Sequence, residues 1–166
     1  ARSHPAPDDP PGAEEPVRAF AARRIRRQHK RVIERGAALG EESSAADFHA
    51  LRIECKELRY LVDAFGGLFP VQPVARLLKQ QKGLQAALGE LNDAWVQREL
   101  LEQSAGALAA PLAAPGPAAL IAVGRAIESL AARAERLRPE ALESLQAFLG
   151  ADQRALLAGF SAEAEG

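Results

Sequence analysis

The sequence predicts an all-α protein, an antiparallel four-helix bundle, and three observations favour this class. Apolar residues recur at three- and four-residue spacing in four segments, which is the period of an amphipathic helix. Glycine and proline separate these segments. No segment alternates apolar and polar residues as a half-buried strand would. Because the connections are short, consecutive helices are expected to be antiparallel neighbours.

The first two helices follow a proline-rich start. Residues 1–16 contain five prolines and few apolar residues, which predicts a flexible leader. A first helix is predicted over 17–39, since apolar residues recur at helical spacing and Gly40 provides a stop. A second helix is predicted over 45–65. Ser44 and Asp47, three positions apart, form a capping-box pattern at its start.

The third helix is predicted over 74–103, after two prolines that interrupt the chain. Its apolar stripe is expected to face the core, with small and charged residues on the opposite side. Residues 104–117 are rich in alanine, glycine and proline, which predicts a loop. Small Ala86 and Gly89 would permit the close approach of another helix or a ligand.

The fourth helix is predicted over 117–138, with Pro117 in the favoured first position. Pro139 predicts either a kink or a new short helix that extends to Phe148. Residues 150–166 are expected to form a loosely held tail. The domain organisation is therefore a leader, a bundle over 17–149 and a tail.

Composition excludes several classes of function. One cysteine excludes an internal disulfide and a cysteine-based zinc site, and with only three histidines besides we expect no metal-ligand cluster. No apolar run reaches the roughly 18 residues that span a bilayer. The sequence contains no glycine-rich phosphate loop, no HExxH motif and no recognisable nucleophile–base pair. We expect a cytoplasmic, non-enzymatic domain that needs no cofactor and contacts no membrane.

Charge is distributed unevenly along the chain, although the net charge is only −1. Residues 17–82 contain 14 basic and 7 acidic residues, whereas the remainder contains 7 basic and 15 acidic residues. This asymmetry indicates an anionic partner for the basic half. The alternative is a set of solvated helix surfaces with no ligand.

The second helix separates apolar from basic residues. At about 100° per residue, one stripe is apolar and predicts the core face. Its members are Phe48, Leu51, Cys55, Leu58, Val62 and Phe65. Cys55 lies within this stripe, which indicates a buried small hydrophobe rather than a reactive thiol.

A second stripe of the same helix, called here the basic arc, consists of His49, Arg52, Lys56 and Arg59, with Asp63 as its only acid. Its neighbouring like charges cost the isolated helix about 0.2–0.5 kcal/mol per pair. Apolar residues border the arc on both sides, which predicts that it lines a groove between helices. Clustered, partly dehydrated cations require an anion, whereas the alternative is a solvated face with extended side chains.

Basic residues on the neighbouring helices extend this pattern. The first helix has one acid among eight basic residues, and arginine can hold phosphate oxygens in pairs. Lys79 and Lys82 on the third helix either enlarge the basic surface or serve only as solubilising lysines. Asn92 and Asp93 could orient neighbouring cations by hydrogen bonding.

Several motifs in order resemble one family. The segment from His49 through Arg52, Lys56 and Arg59 to Tyr60 is similar to the signature of the CHAD domain, the conserved histidine α-helical domain. A second motif of that family is matched by Leu77-Leu78-Lys79, Leu84-Gln85, Leu88-Gly89 and Leu91-Asn92-Asp93. The resemblance covers roughly residues 18–101.

The resemblance implies an all-helical fold and binding of inorganic polyphosphate through basic side chains, often at polyphosphate granules. The ligand residues that it implies are Arg23, Arg24, Arg27, Lys30, Arg31, His49, Arg52, Lys56, Arg59, Lys79 and Lys82. Alternatives are a helical module that binds nucleic acid or an acidic protein, and an accessory domain of phosphate-processing enzymes. One Tyr and one Trp leave few stacking platforms for nucleic-acid bases.

Members of this family typically contain two similar four-helix halves, each with its own signature helix. This sequence has the signature once and resembles the C-terminal half of a two-bundle CHAD domain. The other half is therefore expected either to have been lost with a missing N-terminal part or to be supplied by a second chain. Two basic arcs repel each other without ligand, so we expect a homodimer that polyphosphate promotes.

Overall fold

The structure is a computed structural model that describes residues 16–108 and 116–161. Its α-helices are α1 Val17–Ala37, α2 Ala45–Phe65, α3 Val71–Leu108, α4 Pro117–Leu149 and α5 Gln153–Leu157. A short 3₁₀ turn, Gly66–Leu68, connects α2 to α3. The described residues contain no strand, and the predicted all-α class is confirmed.

The start of α2 is fixed by the predicted capping box. The Asp47 amide donates to Ser44 Oγ over 3.3 Å, and the Ser44 amide donates to Asp47 Oδ2 over 2.8 Å. These bonds satisfy groups that a helix terminus leaves without intrahelical partners. They also lower the pKa of Asp47, because the Ser44 side chain and backbone bond to its carboxylate.

Helices α1 and α2 are antiparallel. The Phe20 and Phe65 rings are 6.2 Å apart near one end, and Gln28 Nε2 donates to the Glu54 carbonyl over 3.1 Å further along. Gln28 is buried, and its amide also donates to the Glu54 carboxylate, so a buried polar group is paired as expected. This register determines which residues of the two helices face each other.

Helices α2 and α3 are also antiparallel. The Phe48 and Trp95 rings are 5.7 Å apart at one end, and Gln85 Nε2 donates to the Cys55 carbonyl over 3.2 Å near the middle. The predicted apolar stripes meet here and form the core. Their fully buried members include Leu51, Cys55, Leu58, Val62, Leu77, Leu84, Leu88 and Leu91.

Helix α4 closes the bundle against α1 at a glycine. A β-carbon added at Gly36 would lie only 2.9 Å from Leu145 Cδ1, so a larger residue here would require the Leu145 side chain to shift. Arg138 on α4 donates to the carbonyls of Glu41 and Ser43 over 2.9 and 2.7 Å. The same guanidinium lies 5.3 Å from the Phe48 ring centroid, so it connects the α1–α2 loop to the core.

The distal parts of α3 and α4, residues 96–108 and 117–133, are called here the arm. No arm residue whose side chain is described is buried. Val96, Leu100, Leu120 and Ile121 are exposed apolar residues on it. The buried core instead lies in the rest of the molecule, called here the bundle. Among the described residues, no helix combines the length and the apolar character needed to cross a membrane.

The boundaries of the two long helices differ from the prediction. Helix α3 begins at Val71 rather than 74, because Pro73 lies in its first turn, where no intrahelical N–H bond is needed. It continues to Leu108, so the predicted loop is wrong for 104–108, and residues 109–115 lie outside the described ranges. Helix α4 continues through Pro139 to Leu149 as one helix, because buried Ala134 and Ala141 hold it on both sides.

The loosely held tail is the clearest correction. Asp152 caps α5 by accepting from two backbone amides. Phe160 is fully buried with its ring 5.0 Å from that of Phe69, and Arg26 Nε donates to its carbonyl over 2.8 Å. Apolar burial therefore holds residues 150–161 against the bundle. Residues 162–166, and the predicted leader except Pro16, lie outside the described residues.

Candidate polyanion-binding surface

A groove between α1 and α2, called here the α1/α2 groove, encloses about 350 Å³. It is lined by Arg24, Arg27, Gln28, Arg31, Glu57, Tyr60 and Leu61. The three- and four-residue spacing of the arginines places them on one face of α1. Within the described residues, no ion pair joins these three arginines to a carboxylate. The groove therefore presents three guanidinium groups to one carboxylate, that of Glu57.

Arg52 is the most constrained residue of the basic arc. Its side chain is half-buried on α2, and its Nε atom is buried without a hydrogen-bond partner in the described structure. A buried donor without an acceptor costs about 1–3 kcal/mol, and more when the group is charged. An acceptor from outside the described chain, such as an anion oxygen, would remove this cost.

The other members of the arc are exposed and differ in their contacts. The His49 Nδ1 and Asn92 Oδ1 atoms are 2.7 Å apart. Asn92 on α3 therefore orients the His49 ring by a hydrogen bond, which is the role that the sequence suggested for it. Lys56 Nζ lies 5.9 Å from the Tyr60 ring centroid. Arg59 pairs with Asp63 over 3.3 Å. This exposed ion pair leaves other guanidinium donors available, because a single contact uses only Nε.

The prediction that the basic arc lines a groove between helices is wrong on one side. The arc borders α3, but Ile53 and Tyr60 on its other side are 43% and 60% exposed. The cation-lined groove of this region instead lies between α1 and α2. Apolar flanks on a helix indicated burial, but Ile53 stays exposed and Tyr60 only borders the α1/α2 groove.

The remaining predicted ligand residues lie at different places. Lys82 is exposed on the edge of α3 that also carries Gln85 and Asn92, both of which contact α2, so it extends the surface of the arc. Lys79 is exposed one turn before it. Lys30 pairs with Glu34 over 3.5 Å and lines a separate cavity with His29.

Arg23, the last predicted ligand residue, is exposed on α1. Its guanidinium lies 5.5 Å from the Phe20 ring centroid, and it has a further interaction partner. The structure therefore brings together Arg24, Arg27 and Arg31 in one groove and leaves Arg23 and Lys30 outside its lining.

Some residues of the surface were not apparent from the sequence. Tyr60 forms a wall of the α1/α2 groove, and Gln28 lines the same groove and donates to the Glu54 carboxylate. Their positions could be predicted only from the direction that each residue faces relative to the neighbouring helix, and this depends on the register between the two helices. Cys55 needed no such register. It is buried as predicted, and burial raises the pKa of its thiol to about 12, which keeps it protonated.

The family comparison agrees with the motifs on α2 and α3. The model of the CHAD domain family matches residues 1–102, more than half of the chain. This chain belongs to the CHAD domain family. The matched range contains α1, α2 and most of α3, and so both the groove and the basic arc of this CHAD chain. A search among curated proteins finds no match.

Proposed function

We propose that this CHAD chain binds inorganic polyphosphate, without catalysis, along the basic arc and the α1/α2 groove. The observation that carries the proposal is that four arginines lack an ion-pair partner or, at one atom, a hydrogen-bond acceptor among the described residues. Arg52 has a buried Nε without an acceptor, and Arg24, Arg27 and Arg31 form no ion pair with the described carboxylates. A chain of phosphates supplies closely spaced acceptors for all four guanidinium groups.

Polyphosphate fits this surface better than a nucleic-acid strand does. A strand that binds without sequence preference needs successive aromatic platforms for its bases. Trp95 is half-buried against Phe48, which leaves Tyr60 as the exposed aromatic platform beside the cations. A linear phosphate chain needs cations alone, and cations are what the surface supplies.

The test is equilibrium binding of a defined polyphosphate at several salt concentrations, with competition by single-stranded RNA of equal total charge. Each phosphate contact releases counterions, so affinity should fall steeply as salt rises. We expect RNA to displace polyphosphate only at a large excess. Equal displacement would favour nucleic acid as the ligand, and no binding of either polymer at low salt would favour an acidic protein partner.

The absence of catalysis is tested in the same preparation. Incubation with polyphosphate and magnesium should release no phosphate and leave the chain length unchanged. Release of phosphate above a protein-free control would favour a phosphate-processing role and overturn the binding-only proposal.

We extend the proposal to assembly and location. Ile53 and Tyr60 are exposed apolar residues beside the arc, and a second arc placed against them would meet like charges until a polyanion lay between them. Static light scattering should report a monomer in the free protein and a dimer with polyphosphate. An unchanged mass at saturating ligand would show that one arc suffices. In cells, the protein is expected to accumulate at polyphosphate granules in the cytoplasm.

A further inference from the structure

The α1/α2 groove differs from the basic arc in having an aromatic wall and an acid. Arg24, Arg27 and Arg31 form the α1 side, whereas Glu57, Tyr60 and Leu61 form the α2 side. For polyphosphate, which can use the groove arginines, Glu57 only lowers the affinity, because a carboxylate repels phosphate. The groove is therefore suited to a ligand that is anionic at one part and planar, with N–H donors, at another.

The antiparallel register of the two helices arranges these groups along the groove. Phe20 faces Phe65 and Gln28 faces Glu54, so Tyr60 lies across from Arg24 and Glu57 lies beside Gln28. Arg31 is about 10 Å along the α1 axis from Arg24, since each residue rises about 1.5 Å. The aromatic wall therefore lies near one end of the groove, and Arg31 lies at the other.

We infer that the α1/α2 groove binds a nucleotide, with its base between Tyr60 and Glu57 and its phosphates at the Arg31 end of the groove, within reach of Arg27. One exposed ring is too few for the successive bases of a strand, but it is enough for a single base. Glu57, one turn from Tyr60, can accept a hydrogen bond from an exocyclic amino group of that base. The cavity of about 350 Å³ lies within the range of small-molecule sites.

This inference rests on the proposed function in one respect, because it takes the groove arginines as phosphate ligands. It departs from that function by assigning the groove a ligand that the basic arc would not select. The arc has its own acid, Asp63, but that carboxylate is held by Arg59, whereas Glu57 has no ion-pair partner in the described residues.

The experiment compares ATP with inorganic tripolyphosphate, which has the phosphates but no base, by calorimetric titration of the whole chain. We expect ATP to bind more tightly. Tyr60→Ser should weaken ATP about tenfold and leave tripolyphosphate within twofold, while Tyr60→Phe retains the ring and the ATP affinity. Tyr60 is 60% exposed, so neither change disturbs the core.

Two further variants test the contributions of the acid and of the arginines of the groove to ligand binding. Glu57→Gln should raise the affinity for tripolyphosphate, because it removes a like charge, without raising that for ATP. Arg27→Gln with Arg31→Gln should weaken both ligands. Arg133→Gln with Arg136→Gln removes the same charge from exposed positions of α4 and should change neither.

The outcomes distinguish the two proposals. Tripolyphosphate affinity equal to or above that of ATP, with no effect of Tyr60→Ser, would overturn the nucleotide site and leave polyphosphate binding standing. Binding of long polyphosphate with no binding of ATP would do the same. Failure of ATP, tripolyphosphate and long polyphosphate alike would overturn both proposals.

Discussion

The bundle and the arm are both made of helices, but their apolar and charged residues are arranged in opposite ways. The bundle buries several leucines and phenylalanines completely, and the three arginines of its α1/α2 groove form no ion pair with the described carboxylates. The arm has no buried residue among its described side chains. Its charges are balanced, with three basic and three acidic residues, and Arg98 pairs with Glu102 over 2.8 Å.

The comparison separates two reasons for charge on a helix. In the arm, mixed signs at helical spacing keep the surface hydrated at little energetic cost. In the bundle, like charges accumulate on adjacent helices, and a packed core holds them in place. An arrangement that costs free energy and is held rigidly is typical of a binding site, whereas a balanced and unburied surface is typical of solvation.

The largest expected effect tests whether the bundle alone carries stability. Leu91→Ala and Leu100→Ala make the same change on α3, but Leu91 is 0% exposed in the bundle and Leu100 is 57% exposed in the arm. Leu91→Ala should lower the free energy of unfolding by about 2–5 kcal/mol through lost contacts and a cavity. Leu100→Ala should change it by less than about 0.5 kcal/mol. Urea denaturation measures both, and similar losses would show that the arm is packed against something in solution.

Much of this division could be predicted from the sequence. The apolar stripe from Phe48 to Val62, the capping box at Ser44 and the burial of Cys55 depend on one helix alone, so periodicity and local chemistry specify them. The order and antiparallel packing of the helices follow from short connections. These local features predicted the all-α class and the signature helix.

The parts that could not be predicted depend on distant residues. Phe160 is buried because Phe69 and Arg26, far away in sequence, contact it, and no local pattern around 150–166 records this. Tyr60 faces a groove because of the register between α1 and α2. The sequence placed the basic residues on the correct helices, but it could not determine which of them share a cavity.

The second prediction concerns binding. Arg52→Glu with Lys56→Glu should weaken polyphosphate binding by at least about 100-fold, because each contact between a cation and a phosphate is worth about 1.5–3 kcal/mol. Arg133→Glu with Arg136→Glu changes the net charge equally on exposed positions of α4 and should cost less than about threefold. Fluorescence anisotropy at fixed salt measures both. Equal losses would mean that net charge, rather than the arc, drives binding. Because Arg52 is half-buried, circular dichroism of each variant confirms that it is folded.

The third prediction uses two glycines of α3 to find a dimer contact. A β-carbon added at Gly83 or Gly89 meets no atom within 4 Å. Either change to alanine should therefore stabilise the free protein by about 1 kcal/mol or less through helix propensity. Gly89, with Ala86, is a place where a helix of a second chain could approach closely, so Gly89→Ala should reduce the dimer formed with polyphosphate, and Gly83→Ala should not. Light scattering gives the mass, and identical dimerisation of both variants would exclude Gly89 from the contact.

The smallest effect concerns His29, which lies in the bundle where α1 meets the α5 segment. Burial lowers the pKa of His29 below its ordinary value of 6.5, and the neighbouring Gln153 offsets part of this. Arg26, Lys30 and Arg154 line the same cavity. The unfolded chain therefore takes up a proton at a higher pH than the native protein does. The stability that neutral His29 provides is complete above the ordinary pKa and is lost as the pH falls from there toward the lowered native pKa.

His29→Gln should make the free energy of unfolding less dependent on pH across that interval, as measured by urea denaturation at pH 7.5 and 5.5. An unchanged pH dependence in this variant would show that other groups control it. The arm contains no histidine, so it should contribute nothing to the pH dependence of stability in this range.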